Sequence, residues 1–363
     1  MKRSFVSCAS LVALALSLAA CVTPTTVTPL VDDASAKAEA KAQAALIWKS
    51  HTAERARVAA VAERLFLANV ADCENRHRVA GFATLSVMEA PPPYQSAARE
   101  AGLGDRKATV TWLYPSGPAD KAGLKLGDEI TAVGVIPVTD GRPAALIRTA
   151  LDGQKPEIDL GVMRDGKPLA LSVKPDWACA VELKIVDNQE INASTDGKTI
   201  AINHGLLRFV PKDEELALVI AHELAHGTEH HLRARQMNMT AGMAGGLVLD
   251  VLAAAGGVNT GGAFMKAGGQ MGSGFASPEF EAEADYVGVY YMTRAGFSTE
   301  GVEDLWRRIA VENPHATFVT SDHPSSPRRY LAIARAREEI AAKQKAGEPL
   351  TPSRKRPSTP PKP

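Results

Sequence analysis

Two histidines four residues apart, His222 and His226, enclose a glutamate in the run His222-Glu223-Leu224-Ala225-His226. Four residues on a helix turn about 400°, so the two imidazoles face the same way and can share one metal ion. Glu223, one position on, reaches the space beside that ion without ligating it, where a carboxylate can act as a base towards water. The six residues before the motif, Leu216 to Ala221, are all apolar, the pattern of a helix buried on every side. Burying two imidazoles and a carboxylate there is costly without a partner, and a metal supplies one. Pro211 and the acidic group Asp213, Glu214 and Glu215 mark the helix start, where anions suit the dipole. The spacing predicts a helix over 213–233.

Zinc in hydrolases takes three protein ligands and leaves one position for water. The metzincin pattern needs Gly and His three and six residues after the second histidine. Glu229 and Leu232 stand there instead, so the third ligand comes from elsewhere. The segment Ser277-Pro278-Glu279-Phe280-Glu281-Ala282-Glu283-Ala284-Asp285 supplies it. Ser277 suits an N-cap and Pro278 a first helical position. Glu281 and Asp285 are four apart and share a face: one binds the metal while the other orients a ligand histidine. Glu283 points off that face and is read as structural. His230 and His231 are read as the solvated end of the first helix.

These segments, with Ser321-Asp322-His323-Pro324-x-x-x-x-Arg329, resemble the HtpX, BepA and CAAX-prenyl-protease group of zinc metallopeptidases over about residues 178–335. The resemblance implies one zinc ion per chain, held by His222, His226 and Glu281, with Glu223 catalytic. It implies that Asp285 supports a ligand histidine. His323 would lie beside the metal, stabilising an oxyanion or taking the open coordination position. Asn192-Ala193 and Gly205-Leu206-Leu207 match the strand region that holds substrate extended. The fold class expected is α+β, a mainly helical zincin (gluzincin-like) peptidase domain with a small sheet, beside a β-rich PDZ domain.

The PDZ expectation rests on residues 116–130, Ser116-Gly117-Pro118-Ala119-Asp120-Lys121-Ala122-Gly123-Leu124-Lys125-Leu126-Gly127-Asp128-Glu129-Ile130, which resemble a stretch of bacterial PDZ domains. Strands are expected at 109–113, 158–163 and 169–174 in that domain, and at 181–186 and 199–202 in the peptidase. PDZ domains take extended peptides along a sheet edge, and Gly102-Leu103-Gly104 is the candidate carboxylate loop.

The chain of 363 residues has 45% apolar residues and a formal net charge of zero, a balance that gives no support to nucleic-acid binding. No Walker A sequence is present, so no ATP use is expected. Lys2 and Arg3 precede an apolar stretch that ends in Leu18-Ala19-Ala20-Cys21. This resembles a bacterial lipobox, with Cys21 lipidated and the protein anchored in the envelope, facing the periplasm, with the outer membrane favoured. Of the remaining cysteines beyond the signal, Cys73 and Cys179 flank the middle domain and are expected to pair. The division expected is signal 1–20, tether 21–33, helical segment 34–78, PDZ 79–177, peptidase 178–342 and disordered tail 343–363. Residues 241–275 hold eleven glycines among apolar residues. A flap, a plug over the site and a membrane-touching loop are all open readings of them. The function expected is a zinc-dependent endopeptidase acting on misfolded or unassembled envelope polypeptides. The alternative is a periplasmic chaperone or assembly scaffold with a closed or structural zinc site.

Overall fold

The computed structural model describes Thr26 and residues 29–273, 278–312 and 327–354. The chain divides into two compact units, residues 1–44 and 45–363. In the first, the described part is mostly the beginning of helix α1, Asp33–Ala68. All that follows concerns the second, which is α+β.

Its middle part is a sheet in the order β2-β3-β4-β6-β7, made of β2 (Phe82–Leu85), β3 (Ala108–Leu113), β4 (Glu129–Val133), β6 (Ile158–Arg164) and β7 (Lys167–Val173). A two-residue β5 (Ile136–Pro137) pairs with β4, and every pairing is antiparallel. The helices of this region are α2 (Gln95–Glu100), α3 (Pro118–Lys121) and α4 (Ala144–Asp152). Val110, Leu124, Ile130, Leu160 and Val162 form its core. Asp128, 2% exposed, accepts from Arg164 and from the Lys125 amide, which fixes the turn at Gly127 (φ 88°). The segment 102–104 is the turn after α2, where the Gly104 carbonyl accepts from the Val87 amide. The edge strands of the sheet are β2 and β7, and Val87 lies two residues past the end of β2.

β1 (Arg76–Val79) and β8 (Asp176–Cys179) pair antiparallel at the root of this region. Cys73 and Cys179 form a disulfide there, with Cα atoms 5.4 Å apart. Beyond it, β9 (Glu182–Val186), β10 (Ala193–Thr195) and β11 (Thr199–Asn203) form a three-stranded sheet in the order β10-β11-β9. The helices are α5 (His204–Phe209), α6 (Asp213–Thr228), α7 (His231–Ala255), α8 (Ala263–Gly272), α9 (Pro278–Arg294), α10 (Asp304–Glu312) and α11 (Pro327–Ala346). One core joins α1, β11, α6, α9 and α11 through residues such as Leu65, Ile200, Leu218, Val289 and Ile333. Every residue of α6 from Glu215 to His226 is buried.

Two expectations about chain course are corrected. The helix expected over 213–233 ends at Thr228, because His230 takes a left-handed conformation (φ 57°) and reverses the chain into α7. The tail expected to be disordered from Lys343 stays helical to Ala346, and part of it packs back on the domain: Arg294 donates to the Leu350 carbonyl at 2.7 Å and Arg354 pairs with Glu229. Residues 241–273 are two helices packed on each other, with no loop-like flap among the described residues.

Candidate metal centre

Helix α6 carries the histidine motif and α9 the acidic residues, and the two pack closely because α9 presents Gly288 to α6. A Cβ on Gly288 would stand 3.2 Å from the His222 amide nitrogen, tighter than a side chain accepts without movement. One turn before Gly288 is Asp285, and one turn before that is Glu281.

His222 Nε2 and His226 Nε2 lie 3.1 Å apart, and each is 3.3 Å from a Glu281 carboxylate oxygen. Donors about 2.0–2.1 Å from a tetrahedral ion are separated by about 3.3–3.4 Å. The three side chains therefore already stand at the edges of a coordination polyhedron, and among the described residues they are the His, Cys, Asp and Glu group so placed. Charge gives the same answer. Three carboxylates (Glu223, Glu281, Asp285) and one guanidinium (Arg329) are each no more than 2% exposed. With neutral imidazoles their formal sum is −3 + 1 = −2, which one divalent cation cancels. Buried charge of that size is otherwise prohibitive.

The outward nitrogens set the lone pairs. His222 Nδ1 sits 2.9 Å from Asp285 Oδ1, so the proton on that nitrogen leaves Nε2 free to ligate. Arg329 grips Asp285 through Nε at 2.6 Å and Nη2 at 2.8 Å, reaches Glu281 at 3.3 Å, and lies over the Trp306 ring at 4.5 Å. On the other side, His226 Nδ1 is 3.0 Å from His231 Nδ1, and His231 Nε2 is 3.2 Å from Glu283 Oε2. If His231 donates its Nε2 proton to Glu283, its Nδ1 accepts from His226, and His226 Nε2 is left as a lone pair aimed at the centre. The two histidines thus have parallel supports, a carboxylate for one and an imidazole–carboxylate pair for the other.

Burial by itself lowers the His222 pKa, but Asp285 and Glu281 outweigh it and push it up to about 9. The field at that point calls for positive charge. His226 moves the other way, lowered by burial. Burial raises Asp285, and the Arg329 guanidinium overcomes this and holds it below the usual carboxylate range.

The structure thus brings His222, Glu223, His226, Glu281 and Asp285 to one place. His323 and Cys21 lie outside the described residues. The reading of His231 as a solvated helix end is corrected: it is 3% exposed and stacks on Phe280 at 4.7 Å. Glu283, read as structural, is its acceptor. The sequence signal for both was weak, since only the left-handed turn at His230 brings His231 back over α6. A cleft beside Glu223 is lined by Asn75, Thr195, Gly197, Gly227 and Thr228, with β10 at its edge.

Residues 169–337 match the family model described as Peptidase family M48, and this part of the chain is an M48 peptidase domain. Among named proteins, the chain is 29% identical over 156 residues to the beta-barrel assembly-enhancing protease of Yersinia pestis, covering 39% of this chain and 32% of that protein. It is 27% identical over 166 residues to the protein of the same name in Escherichia coli K12, covering 42% and 33%. To the mitochondrial metalloendopeptidase OMA1 of Schizosaccharomyces pombe it is 28% identical over 179 residues, covering 46% and 50%. The chain thus spans about a third of the length of these bacterial relatives and half of the yeast one. Among solved structures, the HtrA3 PDZ domain bound to a phage-derived ligand matches with 21% identity and a TM-score of 0.23, over 28% of this chain and 88% of that one.

Proposed function

We propose that the chain is a zinc-dependent endopeptidase of a bacterial envelope, anchored through a lipid on Cys21. The observation that carries the proposal is the convergence of His222, His226 and Glu281 inside a buried cluster whose formal charge is −2. When bound, a divalent ion supplies Lewis acidity to a scissile carbonyl and to water. The chain's own residues do the rest. Asp285 and His231 hold the two imidazoles with their lone pairs inward. Arg329 keeps Asp285 ionised and in place. Glu223, next to His222 on α6 and bordering the cleft, takes a proton from water and returns it to the leaving amine. The outer edge of β10, beside that cleft, receives substrate as an extended strand. His323 is assigned to the developing oxyanion on the family resemblance.

The names of the bacterial relatives and the expected lipid anchor support unassembled or misfolded envelope polypeptides as substrates, presented by the β2–β7 sheet region acting as a PDZ domain. Metal analysis of purified protein, with casein cleavage with and without a chelator, tests the activity. Glu223→Gln should keep the metal and lose at least about a hundredfold in cleavage. A variant that cleaves at the parent rate removes Glu223 from the chemistry. One that loses metal as well makes the glutamate structural.

A further inference from the structure

The helical hairpin of α7 and α8 is built inside out for water. In α7 the residues facing α8 are Gly246 and Asp250, both buried. Leu247, Val248, Leu249, Val251 and Leu252 are each at least 50% exposed. At 100° per residue these five cover an arc of about 200° centred opposite the Gly246–Asp250 side. A helix of a water-soluble protein puts its apolar arc against the core and its polar residues outside. Here the carboxylate is inside and the leucines and valines are outside. The interior is also of an unusual kind. Gly242 and Gly246 on α7 face Gly268 and Phe264 on α8, and a Cβ on either of the α7 glycines would stand 2.0 Å from a carbonyl oxygen of α8. Backbone packs on backbone through residues spaced four apart, a mode of helix association that needs no water to drive it. Asp250 is satisfied within the hairpin by Thr260 and by the amides of Phe264 and Met265, at 3.2 Å and 2.8 Å.

We propose that this hairpin is a lipid-binding element that lies in the headgroup–acyl boundary of a bilayer, with the exposed face of α7 towards the acyl chains. The distribution of charge selects this occupant. Between Gln236 and Gly272 the only ionisable side chains are the internally bonded Asp250 and Lys266. On α8, Lys266 and Gln270 are exposed beside Phe264 (44%) and Met271 (82%), so the second helix offers polar groups to headgroups and apolar ones to the acyl boundary. Arg233 and Arg235 stand at the root of α7, where cations meet anionic lipid. A cation on α8 one turn from the tip argues against a hairpin standing on end in the hydrocarbon. α8 is ten residues and about 15 Å long, half of the roughly 30 Å apolar thickness, so the two helices do not cross together. α7 is long and apolar enough to cross by itself, but its first turn is tied to the metal centre through His231. Since α7 starts at His231, a bound hairpin holds the metal centre close to the membrane surface.

The proposal is independent of the peptidase reading, and its test uses neither metal nor substrate. The chain without residues 1–20, with Cys21→Ser to remove the acylation position, is floated with vesicles of phosphatidylethanolamine and phosphatidylglycerol. It is compared with the same chain carrying Val248→Glu and Leu252→Glu, two exposed positions where the fold does not need the apolar side chain. A urea melt of both checks that they fold alike. The parent chain is expected to float and the double variant to partition at least about tenfold more weakly. A fluorophore on Val251→Cys should shift to the blue with vesicles and be quenched by lipids spin-labelled on the acyl chain. Equal flotation of the two chains overturns the proposal, as does an unquenched probe. A parent chain that stays off the vesicles and forms a dimer that the double variant lacks makes a second copy the occupant, and likewise overturns it.

Discussion

Replacing Asp285 by Asn changes one atom's identity and one charge, and the surroundings set the cost. Asp285 is fully buried. Its two oxygens face three donors: Arg329 Nε at 2.6 Å, Arg329 Nη2 at 2.8 Å and His222 Nδ1 at 2.9 Å. An amide offers one acceptor and one NH2 group, so at least one donor is left facing another donor. An orphaned buried donor costs about 1–3 kcal/mol, and removing one member of a buried ion pair about 3–5 kcal/mol. Part of the larger figure is recovered, because Arg329 keeps Glu281 at 3.3 Å. A loss of roughly 3 kcal/mol in the metal-free protein is therefore expected, read as a lower urea midpoint. A second effect is separate. The cluster falls from −2 to −1, and His222 loses the group that fixes its proton on Nδ1. Loss of such an outer support weakens metal binding about 10–100-fold, measurable by competition with a chromophoric chelator. The two readouts fail independently. If the metal-free Asp285→Asn protein unfolds within about 1 kcal/mol of the parent and keeps the parent's zinc affinity, the account of the buried charges is wrong.

Three further outcomes are expected. His231→Ala removes the acceptor of His226 Nδ1 and should weaken zinc binding on the order of tenfold in the same competition assay, with partial recovery in His231→Asn; unchanged affinity in both excludes a supporting role. Glu63, raised from 4.5 to about 7 first by burial and then by Asp176, is protonated in the folded protein at mildly acid pH. Its contribution to stability is present below pH 4.5 and lost as pH rises through about 7. Glu63→Gln should match the parent at pH 4.5 and be more stable at pH 8, by at most roughly 3 kcal/mol; parallel pH profiles of the urea midpoint refute this. The disulfide of Cys73 and Cys179 closes a loop over a sequence separation of 106, and Cys73→Ser with Cys179→Ser should cost about 2–5 kcal/mol of stability. A reduced parent that melts with the oxidised one contradicts it.

The parts of the site legible in the sequence are those set by helix geometry alone. His222 and His226 share a face because they are four apart, and Glu281 and Asp285 for the same reason, so each half could be drawn without coordinates. Joining the halves needed the approach of α9 to α6, which depends on Gly288 and left no periodic mark. Arg329 was visible only as part of a motif, since nothing in its neighbours tells that it will be 2% exposed with three charged groups around it. His231 was misread because a helix was extended through Thr228 to residue 233. A single left-handed residue ends that helix, and histidine carries no turn signature as glycine or proline does.

The glycine-rich segment stayed undecided for a more instructive reason. Glycine disfavours a helix by about 1 kcal/mol relative to alanine, and eleven of them in 35 residues left a flap, a plug and a membrane-touching loop equally open. Propensity averages over positions, whereas the helices use glycine at particular ones: Gly242 and Gly246 on α7, Gly268 and Gly272 on α8, each pair one turn apart. At that spacing the missing side chains form a groove, and the two backbones close on each other. The same spacing accounts for the hydrophobic pattern, because a helix whose inward face is glycine has nowhere to put its leucines and valines except outside. An irregular loop and a helical membrane element read from register thus share one sequence. They part at Gly246→Leu, which a loop would tolerate. In the hairpin it sets a side chain against the Phe264 carbonyl and should separate the helices, lowering the helical signal by circular dichroism by up to the 25 and 10 residues of α7 and α8.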